Sequence, residues 1–546
     1  MYLLRHGLAR VSAAGCAASL LAVVPGLAAA QISDSVQNQQ AGMGSAQPSA
    51  IATDGSTDNT AEQKNKHYPG RRQSGMNFEP RVTVQHTVTN NAQLNNKNLS
   101  DQVTEVMPGF SLIGDTARFK GFVDYTLRAA NYARDTASDK IWHSLFAKGT
   151  VEAVESHAFV DFDARATLQP ISAFGPSGGN NPANANLTQT TSYRISPYLR
   201  GHLDNGLNYE ARYGITDTSY DTAARTDVSM HDWLLHFGRQ PAGQLLSWGV
   251  DATQQNADYS SGRNIDTTSL RGNLGYMPIS QLRLMAIGGF ESTNQISPTR
   301  ESNNIFGFGF DWRPSDRTSI YFEREKRYFG ESHNAVAQYR TARTVWRYTD
   351  KRAVVNGLDA QRGSLGSLFD LLDGFYTRTE PNAIRRMQLV QAEIARMGLP
   401  ADTQIFQDFL TSSSTLQRMQ QLSLALLGQR STLTMLAMRS DTRLLQNSLQ
   451  LGDDFNNDRN IRQRGWSLTL GHRLTPNSSI TASFGETRSI GSDSGLKTRT
   501  RPFVLGWNFL AARHTNVGIQ MRRVLSDGNV SRYGESAITG FIAHRF

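Results

Sequence analysis

The feature that most narrows the fold is a strict two-residue alternation carried over long stretches. Between 117 and 129, Phe119, Gly121, Val123, Tyr125, Leu127 and Ala129 share one face, and Arg118, Lys120, Asp124, Thr126 and Arg128 share the other. Between 157 and 168, Ala158, Val160, Phe162, Ala164, Ala166 and Leu168 oppose His157, Asp161, Asp163, Arg165 and Thr167. Leu207, Tyr209, Ala211, Tyr213 and Ile215 oppose Asn208, Glu210, Arg212 and Thr216, and Trp466, Leu468, Leu470 and Leu474 alternate with Ser467, Thr469 and Arg473. Side chains of a strand point alternately to its two faces, so this period predicts strands with one apolar face.

A water-soluble sandwich would alternate too. Three features favour a membrane barrel. The strands run to about ten residues or more, the length a tilted crossing needs. Their polar faces carry charges in mid-strand, which a wet lumen permits. Aromatic residues recur near strand ends, at Trp142, Tyr276, Trp312 and Trp346, where an interfacial girdle would sit. The expected fold is all-β: a large antiparallel transmembrane β-barrel of roughly 20–22 strands, with a small helical insertion.

Composition agrees. Charged residues make up 19% of the chain, below the usual level of about 25%, and apolar residues only 38%. Neutral polar residues fill the difference, as they must where only alternate residues face lipid. The net charge of +9 comes from dispersed arginines, not from a basic stripe with aromatic platforms, so nucleic acid is not an expected partner. The only cysteine, Cys16, leaves the rest of the chain without a disulfide framework or a thiolate metal site.

Residues 1–30 read as a signal peptide. Arg5 and Arg10 precede a run rich in Ala, Leu and Val, and Ala28-Ala29-Ala30 supplies the small-residue cleavage pattern near Ala30. Residues 31–75 are polar and poor in aromatics, the composition of a disordered periplasmic leader. Residues 76–546 are the expected barrel, with an insertion at 355–412 where alternation stops. Within it, Pro381 to Met397 reads as a helix with Ile384, Met387, Val390, Ile394 and Met397 on one face, stopped by Gly398 and Pro400. Such a segment cannot lie against lipid; plugging, capping and docking all remain open to it. Turn chemistry falls at Asp204-Asn205-Gly206, Pro314-Ser315-Asp316 and Pro476-Asn477, and 171–187 forms a longer loop.

The candidate lumen-facing charges are Arg118, Lys120, Asp124, Arg128, Asp161, Asp163, Arg165, Glu210 and Arg212. The chain closes on a strand pattern with Ile542, His544 and Phe546 on one face. This looks like the signal read by the barrel assembly machinery. No catalytic, cofactor or metal residue is expected. Gly175-Pro176-Ser177-Gly178-Gly179 fits G-x-S-x-G but sits in an Asn/Gly/Pro loop, without the strand and helix a nucleophile elbow needs. Asp454, Asn456 and Asp458 alternate as calcium ligands would, but the EF-hand glycine and terminal glutamate are missing. Asp161 and Asp163, with His157 nearby, suit a lumenal charge network better than acid–base work.

Several segments together resemble the outer-membrane β-barrel family associated with the PEP-CTERM/exosortase system. They are MPGFSLIG with the following Phe119–Arg128 strand, YRTARTVWRY, FDLLDGF, EPNAIRRMQLVQAEIARMGLP, FLTSSSTLQRMQQLSLALLGQRSTLTM and NIRQRGWSLTLGHRLTPNSSI. The resemblance implies a role in exopolysaccharide or surface-polymer export, outer-membrane lipid as surroundings and no catalytic residues. With no periplasmic repeat domain in the sequence, separate periplasmic or inner-membrane export proteins would be partners. A structural or adhesive barrel, a small-solute porin and a barrel-embedded hydrolase are the alternatives.

Overall fold

The computed structural model describes residues 75–355 and 409–546, apart from short gaps at 178–180, 182, 204–205, 223–224, 240–244, 261, 263, 446–452 and 531, and isolated residues between 372 and 390. The expected signal peptide, leader and most of the predicted helix lie outside the described residues. Twenty-two strands form one antiparallel sheet in which each pairs with its chain neighbours. It closes on itself where β1 (Gly75–Thr89) meets β22 (Tyr533–Arg545), with Arg81 opposite Arg545 and Thr89 opposite Ala537. Strands run from 10 to 16 residues. Closure gives every strand two partners, which is what a sheet in hydrocarbon requires.

The two faces separate as the alternation predicts. One row carries exposed Phe78, Phe306, Leu468, Phe503 and Ile542. The other carries ion pairs that reach across an intervening strand, such as Arg81 to Asp124, with β2 (Asp101–Asp115) lying between β1 and β3 (Phe119–Tyr132). Only the concave side of a closed sheet brings such side chains together, so the polar face is the inner one. The apolar face forms the outer belt, and the chain is an outer-membrane-type β-barrel. No described helix is long and apolar enough to cross a membrane, which does not bear on strands.

The connections are unequal. Those at 116–118, 155–157, 280–281, 316–317, 428–430 and 476–477 are short. They share an end with both ends of the barrel chain. The opposite end carries 90–100, 171–186, 445–459 and the longest connection, 356–414, between β15 (Thr344–Val355) and β16 (Thr415–Leu427). Short turns mark the periplasmic end of such barrels and long loops the outside, so the insertion is rooted at the outer mouth. Val355 is the last residue of β15, and the loop runs on through Ser414 rather than ending at 412. Its described residues Arg386, Met387, Leu389 and Val390 are helical, with Val390 buried and Leu389 exposed.

Trp248, Tyr276, Trp312, Trp346 and Trp507 face outward near the short-turn end, forming an aromatic girdle. Trp142 does not join it. The register sets it opposite Arg128, on the inner face, where it packs with Val103, Tyr132 and Ala183. Proximity to a strand end does not fix the face; the register does.

Candidate functional site: the inner wall and the outer mouth

The inner wall is a series of matched charges. Arg81 donates to both oxygens of Asp124 at 2.7 Å and to Thr126. Arg128 meets Glu105 at 2.7 Å. Arg212 bridges Asp161 at 2.7 Å and Glu210 at 2.8 Å, and its guanidinium lies 3.7 Å from the ring centre of Tyr198. Arg165 lies 3.5 Å from Asp163. Lys120 faces inward opposite Asp115 and Thr150. Eight of the nine expected charges therefore share the polar face. Arg118 lies in the exposed 116–118 turn instead, where its carbonyl accepts from the Glu152 amide at 2.8 Å. The chain has not yet entered β3 there, so the two-residue period does not govern it. His157 likewise sits in a turn, bonded to the Glu155 carbonyl, apart from any acid–base arrangement with Asp161.

The densest cluster was not among the expected residues. Arg271 on β10 (Ile265–Ile279) reaches Glu323 at 3.0 Å and Glu325 at 2.6 Å on β13 (Thr318–Arg327). Arg327 bonds Glu291 and, at 3.4 Å, Glu325, and Tyr321 donates to Glu323. Arg271, Glu323 and Glu325 are buried, and Glu291 is buried completely. Buried charges are tolerated only when paired and hydrogen-bonded. The two strands between, β11 (Leu282–Thr293) and β12 (Glu301–Ser315), present Gly289 opposite Arg271 and Gly307 opposite Glu325. A Cβ at Gly289 would collide with the Leu270 carbonyl oxygen. The wall is thinned where the arginine crosses it. The sequence signal was present: Glu323, Glu325 and Arg327 alternate in one strand, with inward glycines on its neighbour.

At the outer mouth the loops interlock around the 445–459 connection. A 3-10 turn, Asp454–Asn456, is capped by Asp453. Asp453 accepts from Thr411 at 2.7 Å and Ser412 at 3.3 Å, at the root of the insertion. Asp454 accepts from the Ser172 hydroxyl and the Ala173 amide, both at 2.7 Å, in the 171–186 loop. Asp458 accepts from the amides of Asp493 at 2.7 Å and Ser494 at 2.9 Å, in the 492–496 loop. Of the alternating oxygens that resembled a calcium loop, Asp454 and Asp458 are here staples to two other loops, and Asp453, outside that pattern, is the third. Phe455 sits at the centre, packed with Phe174, Phe409 and Ile461. Arg225 adds a further tie, donating to the carbonyls of Ile171 and, at 2.7 Å, Leu410. Burial pushes the Asp454 carboxyl above its ordinary range, and neighbouring Asp453 adds to the rise, against the lowering effect of the Ala173 and Ser172 bonds.

Ser177, of the G-x-S-x-G match, donates to Thr500 at 2.9 Å as part of the same loop packing. Ile542, His544 and Phe546 all lie on or follow the outward face of the closing strand. The Phe546 amide donates to the Pro80 carbonyl at 3.0 Å, and its ring meets His544 edge-on at 4.8 Å.

No family model and no curated protein matches the sequence. Among solved structures, the chain is similar to the FrpB iron transporter from Neisseria meningitidis (F3-3 variant), at 11% identity and a TM-score of 0.46, over 86% of this chain and 81% of that one. It is also similar to the siderophore receptor PirA from Pseudomonas aeruginosa, at 8% identity and a TM-score of 0.43, over 86% and 80%. A single-residue mutant of the ferric enterobactin receptor PfeA from the same organism stands at 10% identity and 0.44, over 87% and 81%. Similarity at this level says nothing of what the present barrel passes or binds.

Proposed function

We propose that this barrel is a gated conduit across the outer membrane for a hydrated, polar cargo, with a surface polysaccharide as the cargo that the sequence resemblance implies. The observation that carries the reading is the inner wall. Many of its arginines are matched to carboxylates on nearby strands, as in Arg81–Asp124, Arg212–Asp161 and Arg271–Glu325, while Arg200 lies over the Phe159 ring. A sugar polymer slides along hydroxyls and neutralised charges, whereas a strongly one-signed wall would hold back ions of one sign and trap those of the other. A bore of 22 strands is also wide enough to need filling or gating. The interlocked loops at the outer mouth would supply the gate, and periplasmic or inner-membrane export proteins would deliver the polymer.

Proteoliposomes test this. Neutral and acidic oligosaccharides of increasing length, sealed inside, are followed by their release through the full chain. Release of long neutral chains, once the mouth loops are loosened, supports the conduit. Retention of even disaccharides in every form refutes it. The tied mouth also favours a second reading, a closed barrel whose loops dock a surface partner, and that retention is the result it expects.

A further inference from the structure

The outer face of the barrel carries a feature that transport does not use. On β17 (Ser431–Leu444), β18 (Asn460–Thr475), β19 (Ser478–Gly491) and β20 (Lys497–Ala512), four arginines stand directly opposite one another: Arg439 against Arg464, Arg464 against Arg488, and Arg488 against Arg499. Strands lie about 4.8 Å apart, so the row is about 14 Å long. Like charges directly opposite on a sheet are destabilising, and one such pair would be ordinary where a row of four is not.

Neighbouring carboxylates offset the row only partly. Asp441 accepts from Arg439 and Arg462, each at 2.9 Å. Glu486 accepts from Arg488 at 2.6 Å, Arg499 at 2.8 Å and Arg501 at 3.2 Å. With Arg464, six guanidinium groups share these two carboxylates among the described residues of the four strands. On the next strand Asp527 stands opposite Arg499, but it is paired with Arg532 at 3.7 Å and so brings a further cation with it. The arginine side chains bonded to Asp441 and Glu486 stay 39–51% exposed, whereas the two carboxylates are only 23% and 13% exposed. The cations therefore keep their free donors turned outward. Elsewhere near this level outer-face cations have a carboxylate of their own or stand apart: Arg418 bonds Asp350 at 2.7 Å, Arg324 bonds Glu331, and Lys326 is separate from the row. Other positions carry neutral residues, such as Thr104, Asn131 and Thr191, or acids, such as Asp217 and Asp258.

The depth of the row is set by the belt beneath it. Below it on the same face come Trp466, then Met435, Leu468, Phe484 and Phe503 in register. Trp507 marks the periplasmic girdle on β20. From Trp507 to Arg499, at about 3.4 Å per residue and a tilt of about 40°, the rise along the membrane normal is about 21 Å. The apolar band of such barrels is about 25 Å tall, which sets the row at the outer interface, level with lipid headgroups.

We propose that the Arg439–Arg464–Arg488–Arg499 row, with Arg462 and Arg501, is a binding site on the outer wall for the phosphorylated headgroup of an outer-leaflet glycolipid. Guanidinium groups bind phosphate oxygens in pairs, and the lipid's acyl chains would lie along Trp466, Phe484 and Phe503. The site is independent of what the lumen carries.

The test uses the full chain in detergent, titrated calorimetrically with bisphosphorylated lipid A and with the same glycolipid after removal of its phosphates. The expected result is at least tenfold tighter binding of the phosphorylated form, lost in R464Q/R488Q/R499Q, with the dephosphorylated form unaffected. The variant's heat-modifiable gel mobility confirms a folded barrel, and K326Q, on a distant strand, serves as the charge control with binding unchanged. Equal binding of the two glycolipids, equal binding by the triple variant, or an equal loss in K326Q would overturn the proposal. So would displacement by equimolar inorganic phosphate, which would mark a site for a free anion, or tighter binding of an acidic polysaccharide lost in the same variant.

Discussion

Replacing Phe455 by Ala should open the outer mouth without unfolding the barrel. The ring is 5% exposed. It packs against Phe174, Phe409 and Ile461, with the Phe409 ring centre 5.8 Å away. Truncating a buried Phe costs about 3–5 kcal/mol. That loss falls on the loops, because Phe455 contributes nothing to the strand ladder. At about 1.4 kcal/mol per tenfold, even a loss of about 3 kcal/mol raises the open fraction of the cap by roughly a hundredfold. Hydrogen exchange followed by mass spectrometry reads this directly. Peptides covering 171–177, 409–414 and 453–459 should exchange about a hundred times faster in Phe455→Ala, with strand peptides unchanged. Unchanged loop protection would refute the interlocking argument. Loss of protection throughout the strands would refute the separation of cap from barrel.

Asp454 predicts a pH dependence. Its folded pKa lies above the ordinary value of 3.8, so the stabilisation tied to its protonated form is complete below that value and is lost as pH rises through the higher folded one. Loop protection, corrected for the intrinsic rate of amide exchange, should therefore be greater in that acid window than at neutrality, and D454N, which stays neutral, should flatten the difference; an unchanged pH profile in D454N would count against it. Gly289→Ala should destabilise the barrel by about 1–3 kcal/mol through overpacking, since the new methyl meets the Leu270 carbonyl oxygen; a lowered thermal transition checks it, and an unaltered one contradicts it. Arg271→Met should cost about 3–5 kcal/mol by leaving Glu323 and Glu325 buried without their cation, and adding E323Q/E325Q should restore part of the loss in the same melt. Deleting Phe546, which is 73% exposed and so contributes little to packing, should lower the folded fraction in the outer membrane while leaving the melt of refolded protein nearly unchanged.

The alternation made the wall legible. It separated Asp124, Asp161, Glu210 and Arg212 from the lipid-facing row because the pleat allows each strand residue only two directions. It failed at Arg118, the last residue of a turn, and at Trp142, whose face depends on a register that the strand's own composition does not reveal. Arg271 and its carboxylates escaped notice because they lie far apart in the chain, and they meet only because the intervening hairpin holds β10 and β13 within reach across the curved wall. The mouth was the hardest part to read. Asp453, Asp454 and Asp458 offer their oxygens to residues 411, 172 and 493, and no local pattern encodes partners so far apart. The alternation of Asp454, Asn456 and Asp458 suits an ion as well as it suits loop ties, and it passes over Asp453, which makes one of them.

Single-channel recording in a planar bilayer, of the full chain and of Phe455→Ala, tests the conduit most directly. Little or intermittent conductance is expected in the full chain and a steady, weakly ion-selective conductance in the variant, whose cap is loosened. Silence in both forms, with the β circular dichroism intact, would contradict it and leave a closed barrel that serves as a docking surface.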